Sequence, residues 1–314
     1  MSPSFAFETT GDEVVAALSA SVKGKVFLVT GPSPNGIGAA TLYALAKGHP
    51  DTLILAGRTP SAFASVVEQI ATIDSSIKVI SVAVDLSSLS SVRKAADEIL
   101  SNSALTHIDV LINNAGVMAT PLGYTVDGLE TQFGTNHIGP FLFTLLLLPK
   151  LLKSSEPRVV NTTSSGHRFG APDYSDYNWK SKPYNTWRAY GQSKLANILF
   201  TNELARRYGP KGLLAYSAHP GSVGTNLARH MDEASVADVY KIMSEEPDFE
   251  NITQKSLEQG CSTTLVAALT PASSVENGAY FADAQVWTPK ATAKDTKAAQ
   301  ELWELSEKIV GAKF

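Results

Sequence analysis

The stretch that decides the fold is "KVFLVTGPSPNGIG", Lys25 to Gly38. Its apolar start reads as a buried strand. The glycine-rich turn behind it opens a helical pattern, "GIGAATLYALAKG", over 36–48. Such a turn usually cradles a phosphate, because the first N–H groups of the helix are free and its dipole favours an anion. Gly31 and Gly36 are separated by four residues, as in a nucleoside-triphosphate loop. That loop needs Lys and then Ser or Thr directly after its second glycine. Ile37 and Gly38 stand there instead, and G-x-G-x-x-G does not fit either. The turn alone therefore leaves the phosphate unidentified.

Strand and helix patterns alternate beyond it. "TLILAG" (52–57), "IKVISVAV" (77–84), "IDVLINN" (108–114), "RVVNTT" (158–163) and "LLAYSAH" (213–219) read as strands, with helices over 62–73 and about 88–100. Strands apolar almost throughout belong in a sheet covered on both faces. Alternation at this spacing predicts an α/β fold with a doubly wound parallel sheet and helices on both faces. Residues 1–24 read as an N-terminal arm with an apolar stripe of Val14, Val15, Leu18 and Val22, and 25–314 as a single domain. Residues 226–256 mix Met231, Val236, Val239, Ile242 and Met243 with acids. They read as a helical insertion lying over something apolar, a substrate lid.

Composition narrows the classes. A net charge of -4 over 314 residues argues against a nucleic-acid partner. Cys261 is the only cysteine, so no disulfide or cysteine-based metal site can form, and no histidine spacing suggests a metal. "PFLFTLLLLP" (140–149) falls short of the ~20 residues that span a bilayer. No signal peptide is visible, so a cytoplasmic protein without a membrane span is expected, and the sequons at Asn161 and Asn251 are set aside. The apolar helix has two readings: an interface in a homo-oligomer, or a helix covered within the monomer.

Four further motifs give the turn its meaning. "NNAG" (113–116) ends the fourth strand, Ser164 and Ser165 end the fifth, "YGQSK" (190–194) opens a helix, and "HPGSVGTNL" (219–227) follows the sixth strand. With these the chain resembles the short-chain dehydrogenase/reductase family over about 24–314. "NHIGPF", "SSGHRF", "RAYGQSKLANILF" and "HPGSVGTNL" resemble its retinol-dehydrogenase-like and WW-domain-oxidoreductase-like branch. The resemblance implies a Rossmann fold and a nicotinamide dinucleotide. It puts the cofactor against Gly31, Ser33, Asn35, Gly36, Ile37 and Gly38, in a loop one residue longer than usual. Asp85 and Leu86 match adenine contacts, and Asn113, Ala115 and Gly116 match contacts at the end of the fourth strand. Lys194, with Tyr190, matches the ribose site, and Pro220, Gly221, Val223 and Thr225 match the far end. It also implies a water-linked proton path through Asn136. Counting N-x-[ST]-S-x-x-H from Asn161 makes Ser164 the functional serine, with Ser165 the alternative and His167 in local support.

The residue chemistry agrees. Tyrosine ionises near pH ~10 and alone is a poor base. Lys194, four residues beyond Tyr190, shares its helix face. An ammonium there is expected to lower the tyrosine pKa, so that Tyr190 exchanges a proton with a carbonyl oxygen as hydride moves. A serine hydroxyl would hold that oxygen. The second strand ends "LAGRTP": Gly57 stands where an NAD enzyme carries its acid, and Arg58 follows, which favours NADP(H). Phe169, Tyr174, Tyr177, Trp179, Tyr184 and Trp187 either shape a pocket for a lipophilic, ring-containing carbonyl or alcohol, or pack their loop. The expectation is an NADP(H)-dependent carbonyl reductase or alcohol dehydrogenase acting on a small molecule. The alternatives are a non-redox enzyme or a nucleotide-sensing interaction protein on the same fold.

Overall fold

The apolar runs become neighbouring strands of one sheet, because each buries alternate residues against helices on opposite faces. The computed structural model describes residues 4–246 and 253–314. In chain order the elements begin with α1 (Gly11–Ala17), β1 (Val26–Thr30), α2 (Ile37–Ala46), β2 (Thr52–Gly57), α3 (Ala64–Ile73), β3 (Lys78–Ala83), α4 (Leu89–Ser101) and β4 (Val110–Asn113). Next come α5 (Thr131–Phe133), a π-turn (Gly134–Ile138) and α6 (Gly139–Leu151) as one continuous helix, then β5 (Arg158–Thr162), α7 (Thr186–Tyr208) and β6 (Leu214–His219). The chain closes with β7 (Ser222–Val223), α8 (Glu233–Glu245), β8 (Gln254–Lys255), α9 (Leu257–Leu269), β9 (Tyr280–Ala282), β10 (Gln285–Trp287) and α10 (Thr296–Val310).

The large sheet runs β10-β9-β6-β5-β4-β1-β2-β3, all parallel except β10, which returns antiparallel on β9. The strand order reverses at β1 and β4, where open α/β sheets bind ligands. Along β1, Val26 and Leu28 face a core built with α4, α6, α7 and α10, while Phe27 and Val29 face one built with α1, α2, α3 and α9. The strand period of two thus sorts consecutive apolar residues to opposite layers. β7 and β8 form a separate two-stranded ribbon.

Two features go beyond the sequence reading, and a third matches one of its two alternatives. β9 and β10 were not legible: their turn, Asp283–Ala284, has both residues at positive φ (49° and 58°) without the glycine that usually marks it. The N-terminal arm is built into the core, with Val14 and Val22 fully buried against α2 and α9, and α1 starts with a Thr10/Glu13 capping box. The apolar helix α6 is covered within the chain, with Phe141 packed on Phe200 and Trp303. Asn161 is buried in β5 and bonded to Thr201, so its sequon is closed, and the sequon at Asn251 lies outside the described residues. Among the described residues no helix is long and apolar enough to cross a membrane.

Val14→Ala removes two buried methyl-sized groups and leaves a gap between α1, α2 and α9. It should cost about 2 kcal/mol, read as a lower urea midpoint with an unchanged slope.

Candidate active site

The site grows from the end of β1. Gly31 adopts φ 72°, and its N–H donates to the Ala56 carbonyl. Ser33 to Gly36 close a turn through Asn35, at φ 57°, which accommodates the extra loop residue. α2 then opens on Gly36 without a side-chain cap, whereas α1, α4, α7, α8, α9 and α10 all carry one. The first N–H groups of an uncapped helix are donors awaiting an acceptor. A Cβ on Gly38 would run into the Gly31 carbonyl oxygen and the Asn114 amide, so only glycine lets α2 start this close to β1.

Asn114 secures that approach, donating to the Thr30 and Gly31 carbonyls at 2.9 and 3.2 Å. Thr30 Oγ1 in turn accepts from the Ala115 N–H at 3.0 Å. The sequence reading placed Asn113 among the cofactor residues; in the structure it does not line the cleft. Asn113 is buried on the other side of its strand, donating to Thr144 and Asn161 at 2.8 and 2.9 Å. Strand alternation is the reason, since neighbouring residues face opposite ways.

Loop and strand ends open into one cleft of about 1160 Å³. Of the residues read from sequence, Gly31, Ser33, Asn35, Gly36, Ile37, Arg58, Asp85, Leu86, Ala115, Gly116, Ser164, Tyr190, Lys194, Pro220, Gly221, Val223 and Thr225 line it; Gly38, Asn113 and Asn136 lie behind the wall. Asp85 accepts from Ser87 N and Oγ at 2.9 and 2.7 Å, and Gly139 allows α6 to approach the Leu86 carbonyl. Arg58 is exposed and makes no ion pair among the described residues. An uncapped helix, a free guanidinium and glycine-lined strand ends make a donor set that fits a phosphorylated dinucleotide.

The reactive groups meet deeper in. Tyr190 is buried beside the Ser164 hydroxyl, whose Oγ accepts from Gly166 N at 3.1 Å. Ser165 lines the cleft too and begins the tight turn Ser165–Phe169. Lys194 Nζ donates to the Thr162 carbonyl at 3.2 Å and lies 5.7 Å from the Tyr190 ring centre. Burial pushes the Tyr190 pKa up to about 12, partly offset by the Ser164 hydroxyl, and pulls Lys194 down to about 8. The expected lowering of the tyrosine pKa is therefore reversed: desolvation outweighs an ammonium that is turned to a backbone carbonyl.

Asn136 sits in the π-turn, a distortion frequent at functional positions. It exchanges two bonds with the Val117 backbone, at 2.8 and 2.9 Å, and donates to Ser193 Oγ at 3.0 Å. A Cβ on Gly116 would stand 3.0 Å from Asn136 Oδ1 and 3.4 Å from Lys194 Nζ, so that glycine keeps the two residues near each other. Thr30, Asn114 and Ser193 were missed by sequence reasoning; only the second asparagine of the motif carried a signal. Among the described residues no cluster suits a metal ion.

The family model described as "short chain dehydrogenase" matches residues 25–235. The chain belongs to this family, and so is an alcohol–carbonyl oxidoreductase of the kind that uses a nicotinamide cofactor. It is 37% identical to human retinol dehydrogenase 13, over 93% of this chain and 86% of that one. It is 36% identical to the chloroplastic short-chain dehydrogenase TIC 32 A of Brassica napus, over 96% and 93%. A crystal structure of an uncharacterised Mycobacterium Paratuberculosis protein superposes with a TM-score of 0.73 at 34% identity, covering 94% of this chain and 98% of that one.

Gly38→Ala forces α2 away from the Gly31 carbonyl. We expect dinucleotide binding, measured by quenching of tryptophan fluorescence, to weaken at least about tenfold, with a fall in Tm.

Proposed function

We propose that the protein is an NADP(H)-dependent carbonyl reductase for lipophilic small molecules. The observation that carries this reading is the convergence of Ser164, Tyr190 and Lys194 at the inner end of a cleft whose outer end holds an uncapped helix and a free Arg58. The bound cofactor supplies the hydride for the carbonyl carbon. Ser164 holds the carbonyl oxygen, and Tyr190, protonated at neutral pH, gives that oxygen its proton, so the product is an alcohol. Lys194, still largely charged at neutral pH, binds the ribose and stabilises the phenolate left behind. Asn136 positions Val117 and α7, and with Lys194 it borders Gly116, where water could carry the proton back.

Arg58 supports the choice of NADP(H), since a guanidinium can grip a ribose phosphate by two parallel bonds. Gly57 offers no carboxylate. Phe63 and Pro32 stand 3.1 and 3.3 Å from where its Cβ would be, which leaves little room for one. The substrate end supports an apolar ligand. Met118, Leu122, Phe169, Trp187, Val239 and Met243 line it beside Tyr190. Tyr174 and Tyr177 instead stack on Phe133, and Trp179 on Tyr184, so much of the aromatic loop is packing. A cytoplasmic site of action and a homo-oligomeric state remain part of the proposal, the latter through a surface other than the covered α6.

Turnover should be followed as NADPH and NADH oxidation against bulky ketones, aldehydes and quinones. Tyr190→Phe should lose about 10²- to 10⁴-fold in rate while still binding cofactor. Arg58→Asp should cut the NADPH preference about 10- to 100-fold. NADH preference in the unmodified protein would sink the cofactor assignment. The Lys194 pKa is depressed to about 8, so its charge is present below that pH and lost above it. The reductive kcat/KM should therefore be flat at neutral pH and fall through about pH 8.

A further inference from the structure

His167 lies beyond the reacting groups, yet its bonds reach both Ser164 and Lys290. The ring is buried three residues after Ser164. Its Nδ1 stands 2.6 Å from the Ser164 carbonyl oxygen, and its Nε2 stands 3.1 Å from the Lys290 backbone nitrogen. A carbonyl only accepts and an amide N–H only donates, so the partners fix the tautomer, with the proton on Nδ1 and Nε2 bare. Tyr280 packs edge-on at 5.4 Å, and burial holds the ring neutral, with its pKa down at about 4.

The path continues through Lys290. Its Nζ donates to the Arg168 carbonyl at 2.6 Å and pairs with Glu246 at 3.1 Å. Glu246 is the residue directly after α8, whose Val239 and Met243 line the cleft. The other side of α8 is tied to the start of α7: Asn185 donates to Asp238 at 2.9 Å and Trp187 Nε1 to the Ser235 carbonyl at 2.8 Å. On one side the turn after Ser164 packs closely on α7, where a Cβ on Gly191 would meet the Gly166 carbonyl oxygen and the Gly170 nitrogen, and one on Gly166 would stand 3.1 Å from the Tyr190 ring. On the other side it is held by His167.

We propose that His167 is a positioning residue that fixes the Ser164 main chain, and that Lys290 and Glu246 couple this brace to the seated lid. The proposal rests on the reductase reading. Two substitutions separate the two ring nitrogens. The amide nitrogen of Asn overlays Nδ1 and can still donate to Ser164; the end of Gln overlays Nε2 and can accept only from Lys290. With the best carbonyl substrate, His167→Gln should lower kcat about 10²-fold with KM little changed, and His167→Asn should recover most of it. Lys290→Met keeps the backbone bond to His167 but frees Glu246, so KM should rise about tenfold with kcat near that of the unmodified enzyme.

Equal kcat in the Gln and Asn variants, or an unchanged KM in Lys290→Met, would overturn the proposal. Should the unmodified protein reduce no carbonyl, the reductase reading fails, and amide exchange over 164–170 decides the brace separately. Faster exchange in Gln but not in Asn upholds it; equal exchange in both overturns it.

Discussion

The site depends on how α7 is fastened to β5. Thr162, the last residue of β5, offers its carbonyl to both Lys194 Nζ and Asn197 Nδ2, at 3.2 and 3.0 Å. One residue on, Thr163 Oγ1 donates to the Lys194 carbonyl at 2.8 Å. Below these, Thr201 takes a bond from Asn161, which itself accepts from Asn113 in the next strand. These groups are buried, where an unpaired polar atom costs more than a paired one gains. Any slip of α7 along the sheet would break several bonds together, so the height of Tyr190 and Lys194 above the strand ends is set by polar registry. Apolar packing presses α7 onto the sheet but tolerates sliding far better.

The same logic explains which parts of the site were legible in the sequence. Glycines announce themselves because their reason is steric: Gly31 needs a positive φ, and Gly38 needs the space a methyl would fill. Tyr190 and Lys194 announce themselves through helical spacing. Asn113 and Asn114 are adjacent and chemically identical, so no reading of residue type could separate them. What separates them is the face each takes at the end of β4, and that follows from register. The inner asparagine belongs to the polar ladder and the outer one to the glycine loop after β1.

Sheet ends hid for a related reason. β9 and β10 are three residues each, and their turn uses Asp283 and Ala284 in the left-handed region, where Asn-Gly or Asp-Gly would have signalled a hairpin. Ala284 accepts that conformation because its side chain is buried and its N–H donates to Thr263 Oγ1 at 3.0 Å, a tertiary bond that local sequence cannot show. The arm of residues 1–24 looked weakly apolar in isolation. Its part from Gly11 to Val22 has a place because Gly11 and Gly48 leave gaps that Cys261 and Val22 fill, a fit between segments distant in the chain.

Electrostatics is the property least visible in sequence and the one on which the chemistry turns. A lysine one helical turn from a tyrosine suggests a depressed phenol. The folded chain instead raises Tyr190 to about 12 and lowers Lys194 to about 8, since both are stripped of water. The phenol is held protonated beside Ser164, where both line the cleft. Among the described residues it is the Lys194 ammonium, 5.7 Å from the Tyr190 ring centre, that lies nearest to offset this burial. The interior as folded thus holds Tyr190 protonated, through the same burial that fixes α7 in register.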